Sequence, residues 1–252
     1  MDLELEGRVA LVTGASAGLG RAIAAMLARE GCRVAIVARR DGLLQSLADE
    51  IAAQGRERPL VLVDDVTDTA AASRLRRRVL DAFGRIDIVV NAAGGSRPFD
   101  GLGTRQQWDD AMALNFHAGR ELAHAFVDDM RHRNFGRIIN LTGGDEPVAM
   151  NGAVPPNGAV HIWAKALSRA VGRYGITVNC IPPGRIHSEQ IDQKLLPTPE
   201  VQQKWVDENC PAGYIGEPDD LAVLVAFLSS PLARYINGQV IHVDGGARRF
   251  PH

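Results

Sequence analysis

The chain has 252 residues, 46% of them hydrophobic, and a formal net charge of −2. That length and balance suit one α/β domain and leave no basic footprint for nucleic acid. No run approaches the roughly 18 apolar residues of a membrane span, and "MDLELEGRVALVTG" has neither a basic leader nor a signal-peptide core, so a cytoplasmic protein is expected.

Short β-branched runs alternate with longer helical patterns along the chain. "RVALVT" (8–13) reads as a strand and "GLGRAIAAMLARE" (18–30) as a helix. "RVAIVA" (33–38), "PLVLVD" (59–64) and "IDIVVN" (86–91) are strands, with helices at 42–54 and 69–83 between them. The basic run "RLRRRVL" (74–80) lies on the second of these helices and reads as a solvated face. A long helix is expected over roughly 105–133, then a strand at 136–142, a helix at 159–174 and a strand at 176–181. A helix at 219–230 and a last strand at 238–245 complete the pattern. Strands that are apolar on both faces and separated by helices imply a parallel sheet covered on both sides. Seven of them predict a doubly wound, Rossmann-type single domain over 1–252. The least regular stretches are 143–158 and 184–217. Ligands in such folds sit beyond the carboxyl ends of the strands, so both are candidate substrate walls, the second as a lid. Leu195, Leu196, Trp205 and Tyr214 there either face an apolar ligand or pack within the lid. Cys32, Cys180 and Cys210 are odd in number, far apart and without a C-x-x-C, which predicts reduced thiols and no metal.

"TGASAGLG" (13–20) follows the first strand directly and opens the first helix. Small residues there let backbone N–H groups approach a pyrophosphate at a helix N-terminus. Further motifs follow in order: "DDV" (64–66), "NAAG" (91–94), Asn115 in the long helix, Lys165, "PPG" (182–184) and "INGQVIHVDGG" (236–246). On these residues the chain resembles a short-chain dehydrogenase/reductase over nearly its whole length. The resemblance implies a nicotinamide cofactor contacted by Gly14, Ser16, Gly18, Leu19 and Gly20. It also implies that Asp65 and Val66 hold the adenine, and that Asn91, Ala92 and Gly94 line the cofactor. Lys165 would hold the nicotinamide ribose, and Pro183, Gly184 and Ile186 would pass near the nicotinamide. It further implies a homotetramer or homodimer paired through the 105–133 and 159–174 helices, acting on a small molecule with no nucleic acid or membrane partner. The second strand ends in Ala38, Arg39 and Arg40. No acid stands there to accept a ribose 2′-OH, and Arg39 favours a 2′-phosphate, so NADP is expected, with NAD possible.

The family usually works with Asn, Ser, Tyr and Lys. Asn115 and Lys165 match, but His161 stands at the Tyr position and Gly143 or Gly144 at the Ser position. Thr142 comes one residue early, where strand alternation turns it to the other face. An imidazole titrates near neutral pH, at about 6.5 in the reference state, and a nearby ammonium lowers that value. Three readings follow. The first is an oxidoreductase in which His161 exchanges the proton, Lys165 fixes the ribose and Asn115 holds a relay water. The second is a lyase, dehydratase or isomerase with His161 as base and Asp145 or Glu146 assisting. The third is an NADP-binding protein without turnover. His117 reads as packing or interface, and His187 and His242 have no partner at metal-ligand spacing.

Overall fold

The computed structural model describes residues 1–144, 146 and 149–250. Its elements run β1 (Val9–Thr13), α1 (Gly18–Arg29), β2 (Arg33–Ala38), α2 (Asp41–Ala53), β3 (Leu60–Val63), α3 (Ala71–Phe83) and β4 (Ile88–Asn91). They continue with α4 (Arg105–Met112), α5 (Ala118–Arg133), β5 (Gly136–Leu141), α6 (Val154–Val171), β6 (Ile176–Ile181), α7 (Pro199–Asn209) and α8 (Pro218–Ser229). The sheet order is β3-β2-β1-β4-β5-β6, and every pair is parallel. Successive strand residues point to opposite faces, and both faces are dry. Ala10 and Val12 of β1 pack with Ile23, Leu44 and Leu221 of α1, α2 and α8. Val9 and Leu11 pack with Leu75, Phe126 and Val160 of α3, α5 and α6. This is the covered parallel sheet that the continuous apolar runs predict. No helix among the described residues is long and apolar enough to cross a membrane.

Three expectations need correcting. The sheet has six strands rather than seven. The segment expected as the last strand runs beside β6, with the Cys180 amide donating to the Gln239 carbonyl at 2.8 Å and the Ile241 amide to the Cys180 carbonyl at 2.9 Å, but it forms only isolated bridges, Cys180 to Val240 and, past the end of β6, Pro183 to Val243. Pro182 and Pro183 have no N–H to extend that ladder. The 105–133 helix is interrupted by a π turn at Ala113–His117, which holds Asn115. Such turns concentrate at functional sites. Finally, α6 begins at Val154, five residues before the expected start, and takes in the 155–156 prolines. Proline is tolerated in a first helical turn, whose N–H groups have no helical partner anyway.

All three cysteines are free and buried. Burial is the main force pushing the thiols of Cys32 and Cys180 up to about 12. Neither is expected to react with a disulfide reagent at pH 8 in the native protein. All three should react after denaturation, which a colorimetric thiol count checks.

Candidate active site

The sheet order reverses between β1 and β4, so the crevice beyond their carboxyl ends is the place for a ligand. The two chain segments that leave these strands are bound to each other. Thr13 Oγ1 accepts the amides of Ala92 and Ala93, both at 3.0 Å. Gly14 has φ +68, and a Cβ there would lie 2.8 Å from the Ala92 carbonyl oxygen. A Cβ on Gly20 would lie 2.4 Å from the Gly14 oxygen. Both glycines let the first turn of α1 settle on a loop that keeps its backbone open, so the cradle fits a pyrophosphate. On the β4 side, Asn115 Oδ1 accepts from the Gly95 amide at 2.9 Å, and its Nδ2 donates to the Ala111 carbonyl at 3.1 Å. Asn115 thus braces the segment containing Asn91, Ala92 and Gly94 against the π turn. Asn91 is itself held to Asn140 by a 2.8 Å hydrogen bond.

At the other end of the crevice, Asp65 Oδ1 accepts from Thr67 N at 3.0 Å and from Thr67 Oγ1 at 2.7 Å. These bonds hold its carboxyl below the usual carboxylate range, with help from Arg39. Arg39 is 78% exposed and 3.7 Å from Asp65. Arg40 lies closer to the glycine loop. It donates to Ser16 Oγ at 3.1 and 3.3 Å and makes a two-pronged 2.9 Å contact with Glu189. Ser16 is buried, and Val66 and Leu19 pack against the two cores. Beyond β6, the Gly184 amide donates to the Val243 carbonyl at 2.8 Å, while Ile186 is buried and bridged to Gly216. This ties the Pro183–Ile186 segment in place beside the crevice.

The helix α6 carries Asn157, His161 and Lys165 at intervals of four, on one face. His161 Nε2 shares a 3.0 Å hydrogen bond with Thr142 Oγ1. The expectation that Thr142 turns away is therefore wrong. β5 ends at Leu141, and alternation does not carry past a strand end. The Lys165 ammonium donates to the Gly238 carbonyl at 3.2 Å. Asp145 lies outside the described residues. Glu146 is taken by the C-terminal segment, accepting the amides of Arg249 and Phe250 at 3.1 and 2.9 Å. Those two bonds, with the Arg248 guanidinium, hold its carboxyl below the usual range, which suits an anchor better than a base. His117 stacks edge-on with Phe116. His187 pairs with Asp192 at 2.7 Å, and His242 meets Arg248. Among the described residues no group of His, Cys, Asp and Glu could hold a metal ion.

In the 184–217 segment, Leu196 is buried with Ile191, Val206, Cys210 and Ile215, and Leu195 and Trp205 pack on them. These side chains form the segment's own small core, whereas Tyr214 is half exposed. Three participants were not selected from sequence. In the sequence, alternation turns Thr142 away from the cleft, and Arg40 stands beside the Arg39 expected to meet a 2′-phosphate. Thr13 opens the 13–20 motif, which gives it no role of its own. Only the serine-like hydroxyl of Thr142, one position from the expected place, offered a signal.

The family profile described as enoyl-(acyl carrier protein) reductase matches residues 14–248. The chain is 36% identical to the 3-oxoacyl-[acyl-carrier-protein] reductase FabG of Vibrio cholerae, over 97% of this chain and 98% of that one. The structure is similar to L-sorbose reductase from Gluconobacter frateurii complexed with NADPH and L-sorbose. The TM-score is 0.93 at 29% identity, covering 99% of this chain and 100% of the other. It is also similar to a 7α-hydroxysteroid dehydrogenase complexed with NADH and 7-oxoglycochenodeoxycholic acid. Here the TM-score is 0.90 at 29% identity, covering 100% of this chain and 98% of the other.

Proposed function

The chain belongs to the short-chain dehydrogenase/reductase family and is an NAD(P)-dependent oxidoreductase of it, and from that premise we propose that it interconverts a carbonyl and an alcohol with His161 as the proton-exchanging group. The observation that supports this most is the His161–Thr142 hydrogen bond just past the carboxyl end of β5. In this reading the imidazole takes over from the family's phenol, and the Thr142 hydroxyl lies one residue before the family's serine position.

When bound, the nicotinamide supplies or accepts the hydride. The chain's own residues do the rest. The 13–20 loop receives the pyrophosphate, with Gly14, Gly18, Leu19 and Gly20 lining it and Ser16 beneath Arg40. Asp65 and Val66 meet the adenine, and Asn91, Ala92 and Gly94 line the cleft. Pro183, Gly184 and Ile186 border the nicotinamide. Lys165 leaves the Gly238 carbonyl to hold the ribose. Asn115 braces the cleft and holds the relay water in this reading. In reduction, protonated His161 gives a proton to the developing alkoxide; in oxidation, neutral His161 takes one from the alcohol. The Thr142 hydroxyl keeps Nε2 at the cleft and gives the substrate oxygen a second polar neighbour. The 184–217 segment acts as the substrate lid of a single domain. Ile162, 76% exposed on α6, is an apolar residue suited to pairing of copies into a dimer or tetramer. Free, buried thiols suit a reducing cytoplasmic compartment.

The test is NADPH consumption over a panel of 3-oxoacyl thioesters, ketoses and cyclic ketones. Substrate-dependent consumption by the wild type supports the reading, and its absence across the panel sinks it. Arg39 is the residue proposed to meet the 2′-phosphate. A charged hydrogen bond contributes about 1.5–3 kcal/mol, so Arg39→Ala should weaken NADPH by about 10-fold or more. NADH affinity should stay as it was, and fluorescence titration of both cofactors separates the two.

A further inference from the structure

Gly143 has no side chain, yet the space beside it is filled. A Cβ there would lie 2.6 Å from Asn157 Nδ2. Asn157 reaches that space from the other side, from the first turns of α6, one turn before His161. Its residue is 7% exposed, and among the described residues its side-chain amide makes no hydrogen bond. A largely buried amide without a protein partner is left for water or a ligand to complete. The described polar atoms that are both sealed from solvent and unpartnered belong to Arg85, Asn91, His117, Arg120 and Arg131. The Asn157 amide is not among them, so it still opens outward. Gly143 directly follows Thr142, whose hydroxyl meets His161 Nε2 at 3.0 Å. Two neighbouring residues past β5, Thr142 and Gly143, thus meet side chains from two successive turns of α6.

We propose that Asn157 Nδ2 donates a hydrogen bond to the substrate's carbonyl oxygen, and that Gly143 is the residue that makes room for it. The inference rests on the redox reading above. Hydride addition turns the carbonyl oxygen into an alkoxide, and a fixed N–H donor is most effective where that charge develops. The glycine at the serine position is then one half of an exchange: the donor has moved from the strand end to the helix.

The exchange makes the test. Losing one such donor costs about 10²–10³ in rate. Asn157→Ala should therefore lower kcat by about 100-fold, with NADPH affinity unchanged. Asn157→Asp, of the same shape but lacking the two N–H donors, should lose as much. Gly143→Ser alone should also be impaired, because its side chain meets the amide. The double variant Gly143→Ser/Asn157→Ala should recover at least 10-fold over Asn157→Ala, since a serine hydroxyl then takes the vacated space. A purely structural Asn157 would not be rescued in kcat, whatever happened to melting temperature. If both single Asn157 variants turn over within threefold of an active wild type, the inference is overturned and the redox reading stands. If the double variant folds but shows no recovery, the inference is likewise overturned. A wild type that consumes no NADPH across the panel overturns both.

Discussion

Replacing His161 by alanine is expected to lower kcat/KM for carbonyl reduction by about 10²–10⁴, the usual contribution of a positioned acid or base. NADPH affinity should hold, because the ring's hydrogen-bond partner, Thr142, lies outside the 13–20 loop. The pH profile should identify the group. Reduction needs the protonated ring, so its rate should fall as pH rises; oxidation needs the neutral ring, so its rate should rise with pH. His161→Tyr restores the phenol of the family and should shift the reductive limb upward, toward the phenol's titration at about 10. Stopped-flow or steady-state NADPH absorbance across a pH series measures all of this. An alanine variant with an unchanged profile would show that the ring exchanges no proton.

The second large effect is expected from Gly20→Ala. The added Cβ would lie 2.4 Å from the Gly14 carbonyl oxygen, a backbone atom that cannot rotate away. Either α1 lifts or the loop moves, and Gly14 is itself packed against Ala92. Overpacking of this kind costs about 1–3 kcal/mol, equivalent to about 5–150-fold in Kd if it falls on the cofactor complex. NADPH titration should show that loss, and the rise in melting temperature on adding NADPH should shrink accordingly. Alanine's better helix propensity, about 1 kcal/mol over glycine, works against the effect and does not remove the clash. A variant that binds NADPH like the wild type would mean that the loop does not receive the pyrophosphate.

The architecture and the cofactor end were legible because their signals are local and periodic. Continuous apolar runs such as "RVAIVA" are explained only by a sheet buried on both faces, and small residues between a strand and a helix mark a backbone that must be approached closely. The strand count was harder, because the 238–245 run has the composition of a strand but meets the prolines at 182–183. Composition reports what a segment would prefer, whereas a ladder also depends on its partner's free N–H groups.

The substrate end was legible only in part. From sequence, His161 could be placed one turn before Lys165, since helical spacing is fixed. Two missing side chains could also be noted, at Gly143 or Gly144 and at His161. Sequence could not show that Thr142 would reach the ring, because a strand's alternation stops at a point that only its pairing decides. Nor could it show that a proline-rich stretch would open α6 and carry Asn157 into the gap left by Gly143. Sequence by itself determined the fold class, the cofactor class and the identity of the absent groups, all carried by neighbours along the chain. Only the tertiary structure decided what lies beside their positions, because Thr142 meets His161 and Gly143 meets Asn157 through the docking of a helix against a strand end, a contact no local pattern encodes.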